Sequence, residues 1–461
     1  MPVQLPDNLM VSVSGVRGRV GDPLTPELMG AVAAAFGGFL RVRGAGGPVY
    51  VGRDSRTSGP MFQRAVVAGL QSVGVDVVEL GVVPTPTVLL AVEDAGAAGG
   101  LAVTASHNPA EWNALKLISG EGIFLDAGEA AAFQAYLAGE DPPRAPWDGL
   151  GGVEKDPGAW DRHRERILSL EYMDGDAIAG HGLPVALDCV HGAGGPPVAD
   201  LLGALGVTFR GMGMEPDGLF PRDPEPTAAN LAGLGELVRA TGAGVGMAVD
   251  PDADRLSLVD ETGTAVGEDL TLALAAAAVL RRTPGVVVTN LSTSRVVEDV
   301  AAAFGSRVVR APVGEVNVVR RMQGEGAVVG GEGNGGVILP ALHYTRDAPL
   351  AVALVLQHLA DEGTTLSQAV ARWPRYVIRK EKIRFPREAL AEAFNVLRED
   401  LREAEADETD GLRLDWPGRR SWLHVRASGT EPVVRIIAEA PDEQGADALL
   451  RRAADLLEGV A

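Results

Sequence analysis

Short β-rich apolar runs alternate with alanine-rich helical runs along most of the chain, and this alternation limits the fold more than any other feature. VYVG (49–52) precedes MFQRAVVAGLQSVG, VDVVEL (75–80) precedes TPTVLLAVEDAG, and PVALD (184–188) precedes PVADLLGALG. GVGMAVD (244–250) follows NLAGLGELVRATG, GVVVTN (285–290) precedes SRVVEDVAAAFG, and RVVRA (307–311) precedes VNVVRRMQGEG. Strand, helix, strand order with short connections predicts α/β layers with mainly parallel sheets. The pattern restarts about every hundred residues, which predicts repeated α/β units of ordinary domain size. The C-terminal stretch differs. VIRKEKIRF (377–385) reads as a strand, PREALAEAFNVLREDLREAEA as an amphipathic helix, SWLHVRAS and VVRIIAEA as strands around a tight loop, and EQGADALLRRAADLLEGV as a final helix. That is a small α+β domain. Pro/Gly-rich stretches at 139–158 and 363–374 read as linkers.

Aspartate and glutamate number 62 against 41 lysines and arginines, a formal charge of −21. Such a balance argues against a general nucleic-acid or anionic-membrane binder, yet it leaves room for a local cationic pocket. Only four of the cations are lysines: Lys116, Lys155, Lys380 and Lys382. The single cysteine, Cys189, cannot form an intrachain disulfide and fits a reducing compartment. The opening residues lack the basic-then-apolar pattern of a signal peptide, so a cytoplasmic location is expected. The apolar run from Leu270 to Leu280 is too short to span a membrane and predicts a buried helix.

Five polar motifs interrupt this pattern. In Thr104-Ala105-Ser106-His107-Asn108-Pro109, Asn108 is placed to cap a helix, with Pro109 at its first position and Glu111 as the capping-box carboxylate. Ser106 would then stand beside a helix N-terminus, where free amides favour an anion such as a phosphate on the hydroxyl. A capped turn without chemistry fits the same residues. A serine hydrolase fits less well, because His107 would point away from Ser106 on an extended backbone and no G-x-S-x-G elbow is present.

In Asp250-Pro251-Asp252-Ala253-Asp254-Arg255, alternate residues of an extended segment share one side, so three carboxylates can converge into an oxygen-rich site suited to Mg²⁺. An EF-hand is disfavoured because Arg255 stands where its glycine belongs, although Glu261 falls at its last position. An acidic surface turn is the other alternative. GGEGNGG (330–336) holds a formal G-x-G-x-x-G match at Gly331, Gly333 and Gly336, but VILPALHY follows it rather than a helix start. A loop presenting Glu332 and Asn334 to hydroxyl groups and a plain glycine turn both fit. In Arg426-Ala427-Ser428-Gly429-Thr430-Glu431-Pro432, a forked cation, two hydroxyls and loop amides could cradle a phosphate, and a polar hairpin turn fits as well. Arg435 is either a second cation or a plain strand residue. Ser14-Gly15-Val16-Arg17-Gly18 is uninformative alone.

Taken in order, TASHNP, DPDADR, GGEGNGG and RASGTEP, with SGVRG at the start, closely resemble the motifs of the α-D-phosphohexomutase family of phosphoglucomutases, phosphomannomutases and phosphoglucosamine mutases. The resemblance covers essentially the whole chain. It implies four domains around a central cleft, three related mixed-sheet α/β units plus a C-terminal α+β domain. On this chain they would be 1–150 with the phosphoserine, 151–251 with the metal loop, 252–368 with the sugar-binding loop and 369–461 with the phosphate-binding loop.

The resemblance further implies that Ser106 carries the transferred phosphoryl group, and that Asp250, Asp252 and Asp254 bind Mg²⁺ with an oxygen on Ser106 as a further ligand. Glu332 and Asn334 would read the sugar hydroxyls, and Arg426, Ser428, Gly429 and Thr430 would grip the non-reacting phosphate. Arg17, His107, Lys116 and Arg255 would lie near the reacting phosphate, and Asp223-Pro224-Glu225-Pro226 is a further family-like segment. Some relatives carry histidine where this chain has Gly336, which leaves Lys116 as the first candidate for general acid or base. The implied activity interconverts hexose or amino-sugar 1-phosphate and 6-phosphate through a sugar 1,6-bisphosphate. Phosphoglucosamine mutase comes first, a broad phosphomannomutase/phosphoglucomutase second. A non-catalytic sugar-phosphate binding protein is the alternative of a different class. Monomer and homodimer are both open.

Overall fold

The computed structural model describes residues 4–13, 15–139, 141–427 and 433–460. Its first three units share one topology. In the first, strand Val49–Arg53 leads through helix Gly59–Gln71 to strand Val77–Val82, then through helix Thr85–Ala95 to strand Gly99–Val103, which turns back into Trp112–Ile118. The second runs Val185–Asp188, helix Gly195–Ala204, Phe209–Met212, helix Ala232–Thr241, Val245–Val249 and Leu256–Asp260. The third runs Val286–Asn290, helix Val296–Ala303, Arg307–Ala311, helix Glu315–Glu325, Val329–Glu332 and Gly336–Ile338. Parallel neighbours need helical crossovers, whereas the last, antiparallel pair needs only a short loop. In every unit that loop carries a polar motif: residues 104–111, 250–255 and 333–335. The repetition foreseen from the hydrophobic pattern is therefore real, and it places each motif at an equivalent point.

The first sheet is widened to seven strands by Met10–Ser12 and Gly15–Arg19 at one edge and Val153–Lys155 at the other. Two expected boundaries are corrected by these pairings. Leu256–Asp260 returns alongside Val245–Val249, so the division at 251/252 would cut a hairpin, and the metal loop belongs wholly to the second unit. The linker expected over 139–158 contains Val153–Lys155, which pairs with the first sheet.

Central strands such as Gly99–Val103 and Val245–Val249 are buried along their whole length, as apolar strands covered by helices on both faces must be. The apolar run near 270–280 is the helix Asp269–Leu280, buried from Thr271 onward. It packs against helix Ala348–Glu362 and merges the cores of the second and third units. Among the described residues no helix is long and apolar enough to cross a membrane.

The C-terminal unit is a five-stranded antiparallel sheet backed by helices Leu390–Asp400 and Glu443–Glu458. The predicted long helix is shorter than expected, because Glu405–Asp407 forms the edge strand. Leu423, Val425, Val434 and Ile436 pack on the helix side. The opposite face carries Lys382, Arg435 and Arg426 in register across three strands.

Candidate active site

Three hairpin loops converge. The Ser106 hydroxyl donates to Asp250 Oδ2 at 3.0 Å, joining the first unit to the second. The Thr85 amide and hydroxyl donate to the carbonyl and carboxylate of Asp252 at 2.8 and 2.9 Å. The Leu256 amide donates to the Gly335 carbonyl at 3.0 Å, joining the second unit to the third. Gly335 has φ +87°, and a Cβ there would lie 2.3 Å from the Leu256 oxygen, so the two loops can touch only through glycine.

No helix follows Ser106. The helix expected from Asn108, Pro109 and Glu111 is corrected to a turn that enters strand Trp112–Ile118. That segment is buried and pairs on both sides, with Gly99–Val103 and Gly15–Arg19, and this tertiary pairing overrides the local cap signal. The loop is held instead by Arg56, whose guanidinium is almost fully buried. It donates to the carbonyls of Ser106 (2.5 Å), Asn108 (2.6 Å), Pro109 (2.7 Å) and Trp112 (3.0 Å), and it pairs with Asp54 at 3.0 Å. Asp54 also accepts from Thr104 Oγ1 at 2.7 Å.

Ser106 adopts φ +49°, the left-handed region that non-glycine residues enter at a cost. Its Oγ lies 3.2 Å from His107 Nδ1, so the expectation that the two side chains point apart is corrected: it assumed an extended backbone, and the chain turns here. Burial, then Arg255 and Arg17, push the His107 pKa far down and keep the ring neutral. Arg17 donates to Asn108 Oδ1 at 2.7 Å, and Arg255 lies 3.6 Å from Asp254 and 3.8 Å from Glu225.

Asp250, Asp252 and Asp254 are buried and bring carboxylate oxygens within 4.8 Å of one another. The loop turns rather than running extended, with Ala253 at φ +56°. Lys116 Nζ lies 2.8 Å from Asp252 and 4.0 Å from Asp254. Burial and the two neighbouring carboxylates raise Asp250, whereas Asp252, despite its burial, is pulled down by Lys116. Asp252 Oδ1 and Asp254 Oδ1 are buried without a hydrogen-bond partner among the described residues. Buried carboxylate oxygens that accept no hydrogen bond call for a cation, and an all-oxygen set fits a hard divalent ion.

Glu332 is buried at the end of its strand. One oxygen accepts from Asn290 Nδ2 (2.8 Å) and the Gly314 amide (3.1 Å), the other from Arg346 (2.9 Å). Burial alone would raise its pKa, but Arg346 and these donors outweigh burial and lower it. Asn334 Oδ1 accepts from the Gly336 amide at 3.2 Å. Beside Glu332 and Asn334, a cavity of about 310 Å³ is walled by Lys380, Lys382, Arg426 and Arg435 of the C-terminal sheet. Like charges directly opposite each other across strands are destabilising, so the row of Lys382, Arg435 and Arg426 is suited to an anion. Arg426 is paired with Asp410 at 3.1 Å, while Arg435 Nε is buried with no partner among the described residues. The expected ligands Ser428, Gly429 and Thr430 lie outside the described residues, as does Ser14.

Models of the phosphoglucomutase/phosphomannomutase family match all four units: α/β/α domain I over residues 9–142, domain II over 161–263, domain III over 267–376 and the C-terminal domain over 381–456. The chain belongs to this family. A Methanopyrus kandleri protein named probable phosphoglucosamine mutase is 38% identical over 96% of each chain. A Thermococcus kodakarensis phosphoglucomutase/phosphomannomutase is 37% identical over 96% of this chain and 97% of its own. The crystal structure of a Burkholderia thailandensis phosphoglucomutase/phosphomannomutase family protein superposes with a TM-score of 0.84 at 27% identity, covering 98% of this chain and 99% of that one.

In this phosphohexomutase the site also holds residues that no motif announced. Arg56 sits in GRDSR directly after strand Val49–Arg53, where α/β folds place their ligand crevices. Lys380 and Lys382 line the cavity beside Glu332, while Lys116 stands at the aspartate triad. Arg346 carries no recognisable sequence signal.

Proposed function

We propose that this phosphohexomutase interconverts the 1-phosphate and 6-phosphate of a hexosamine by way of Ser106. The observation that carries the reading is the position of Glu332. It is tied through Arg346 to Asp254 on the serine side, and it lines the cationic cavity on the other. A sugar read by Glu332 and Asn334 would thus have one phosphate-sized site at each end.

Phosphoryl transfer needs positioning and charge compensation more than covalent help from the protein. The row Lys382, Arg435 and Arg426, with the 428–430 loop, would anchor the phosphate already on the sugar and aim the far hydroxyl at phosphorylated Ser106. Asp250, Asp252 and Asp254 would hold Mg²⁺, which when bound neutralises charge on the serine phosphate. Arg17 and Arg255 would contribute positive charge around the reacting phosphate, and neutral His107, with its proton on Nδ1, would donate to the serine oxygen. Lys116 is our candidate to move the proton of the attacking sugar hydroxyl. The resulting sugar 1,6-bisphosphate would turn over within the cleft, present its other phosphate to Ser106, and return it in a second transfer. A cytoplasmic setting belongs to the same proposal, supported by the lone, buried Cys189.

The amino sugar is preferred because the Methanopyrus relative bears that name, and the second reading, a broad hexose mutase, is favoured by the Thermococcus relative of nearly equal identity. The test is ³¹P NMR of the purified protein with Mg²⁺ and trace sugar 1,6-bisphosphate, in separate tubes of glucosamine 6-phosphate, mannose 1-phosphate and glucose 1-phosphate. Conversion of glucosamine phosphate alone is expected. Comparable conversion of mannose and glucose phosphates would establish the broad mutase instead, and net release of inorganic phosphate would make it a phosphatase.

A further inference from the structure

Arg346 joins two loops that the chain keeps far apart in sequence. Its guanidinium donates to Asp254 Oδ2 at 2.5 Å and to Glu332 Oε2 at 2.9 Å, and Nε lies 3.2 Å from Glu315 Oε2. Glu315 is held in turn by the Arg346 amide at 2.9 Å and by Thr345 Oγ1 at 2.8 Å. One planar cation thus bridges a metal-loop carboxylate and a sugar-loop carboxylate, a task for which the arginine fork is suited and the lysine ammonium is not.

The path of the side chain explains a neighbouring glycine. A Cβ on Gly336 would lie 2.3 Å from Arg346 Cδ and 2.8 Å from Cγ, well inside contact distance. Gly336 is not among the residues of positive φ, so its own backbone would accept alanine. The arginine stem is the closest obstacle to a side chain there, with Asn334 Oδ1 next at 3.2 Å, and that stem cannot swing aside while its guanidinium is fixed by carboxylates.

We propose that Arg346 is a positioning residue that orients Glu332 for the sugar and holds it in register with the metal loop, and that position 336 is glycine in order to admit it. What Glu332 contacts rests on the mutase reading above; the dependence of residues 336 and 346 on each other does not.

The test compares Arg346→Ala, Gly336→Ala and the double variant in the full-length protein, by steady-state kinetics, Mn²⁺ binding followed by electron paramagnetic resonance, and thermal unfolding. Loss of a charged hydrogen bond to Glu332 is expected to raise the KM for the sugar phosphate about tenfold or more in Arg346→Ala. Mn²⁺ should bind at least as tightly as in the parent, since a cation has left Asp254. A merely structural role would weaken both. Gly336→Ala should reproduce the KM rise by displacing the arginine, and the double variant should be no worse than Arg346→Ala alone. Additive losses in the double variant, or an unchanged KM in Gly336→Ala, would overturn the proposal. Should Arg346→Ala fail to fold, Gly336→Ala decides alone. Should the parent isomerise no sugar phosphate, the mutase reading fails, and the 336–346 coupling is still read from non-additive unfolding midpoints and Mn²⁺ affinities.

Discussion

Ser106 and Asp250 belong to different α/β units, yet the serine hydroxyl donates to the aspartate Oδ2 across 3.0 Å. The contact exists because both residues stand on the same loop of a repeated topology, the short return between third and fourth strands. Packing two such units side by side brings those loops together. The third unit adds the sugar loop through the bond from the Leu256 amide to the Gly335 carbonyl. Ser106, the carboxylate triad and the Glu332 loop thus meet through one structural device used three times.

Ser106→Ala follows directly. Its hydroxyl is the group we expect to carry the phosphoryl, and no other hydroxyl is hydrogen-bonded to Asp250 among the described residues. Turnover should fall by about a thousandfold or more, while the unfolding midpoint changes little. The check is the sugar phosphate assay alongside intact-mass analysis, which should find phosphate on the parent and none on the variant. Near-parental turnover by contaminant-free variant protein would remove Ser106 from the mechanism.

Arg56→Lys tests what holds the serine loop. The guanidinium reaches four carbonyls and Asp54, and a lysine ammonium keeps the charge but cannot span that set. Breaking a buried network of this kind is expected to cost about 3 kcal/mol. Urea unfolding measures the stability loss, and the turnover number should drop with it because the loop positions Ser106. A variant with parental midpoint and parental turnover would show that the loop is held by other contacts.

Arg435→Ala probes the cation row. Lys382 and Arg426 flank Arg435 in register, so the row pays electrostatic repulsion in the absence of an anion. Removing its middle member should leave the protein at least as stable and raise the KM for the sugar phosphate by about tenfold. Inorganic phosphate should also inhibit the variant less than the parent. An unchanged KM would place the non-reacting phosphate elsewhere.

The sequence made the chemistry-bearing loops legible because each is a short polar break between apolar strands, and a break of that kind survives without knowledge of tertiary neighbours. Ser106, the aspartate triad, Glu332 and Asn334 all stand on such breaks, and the structure brings their loops together. Signals confined to a few residues misled where long-range pairing decided the outcome. Asn108, Pro109 and Glu111 spell a helix start, yet Trp112–Ile118 is claimed by two neighbouring strands. The division at 251/252 failed for the same reason, since only the pairing of Val245–Val249 with Leu256–Asp260 shows that the metal loop is a hairpin. Arg56 and Arg346 were illegible because their meaning lies in partners 50 and 92 residues away.

His358 gives the chain an acid sensitivity unrelated to catalysis. It lies within helix Ala348–Glu362, nearly fully buried, with both ring nitrogens lacking a partner among the described residues. Burial lowers its pKa to about 4, with Asp361 opposing and Arg372 assisting. An unfolded histidine titrates near ~6.5, so between that pH and ~4 the unfolded chain binds a proton that the native chain does not. Stability contributed by the neutral ring is therefore present above ~6.5 and is lost as pH falls, by about 1.4 kcal/mol per pH unit for one such group. His424, also lowered to about 4 chiefly by burial, adds a parallel loss. His358→Leu removes one titrating group and two unsatisfied nitrogens, so it should stabilise the protein by about 1 kcal/mol at pH 7. It should also reduce the slope of stability against pH between 6 and 5 by about one proton. Urea unfolding of parent and variant at pH 7, 6 and 5 measures both quantities, and parallel pH profiles would show that His358 takes up its proton in the native protein much as in the unfolded chain.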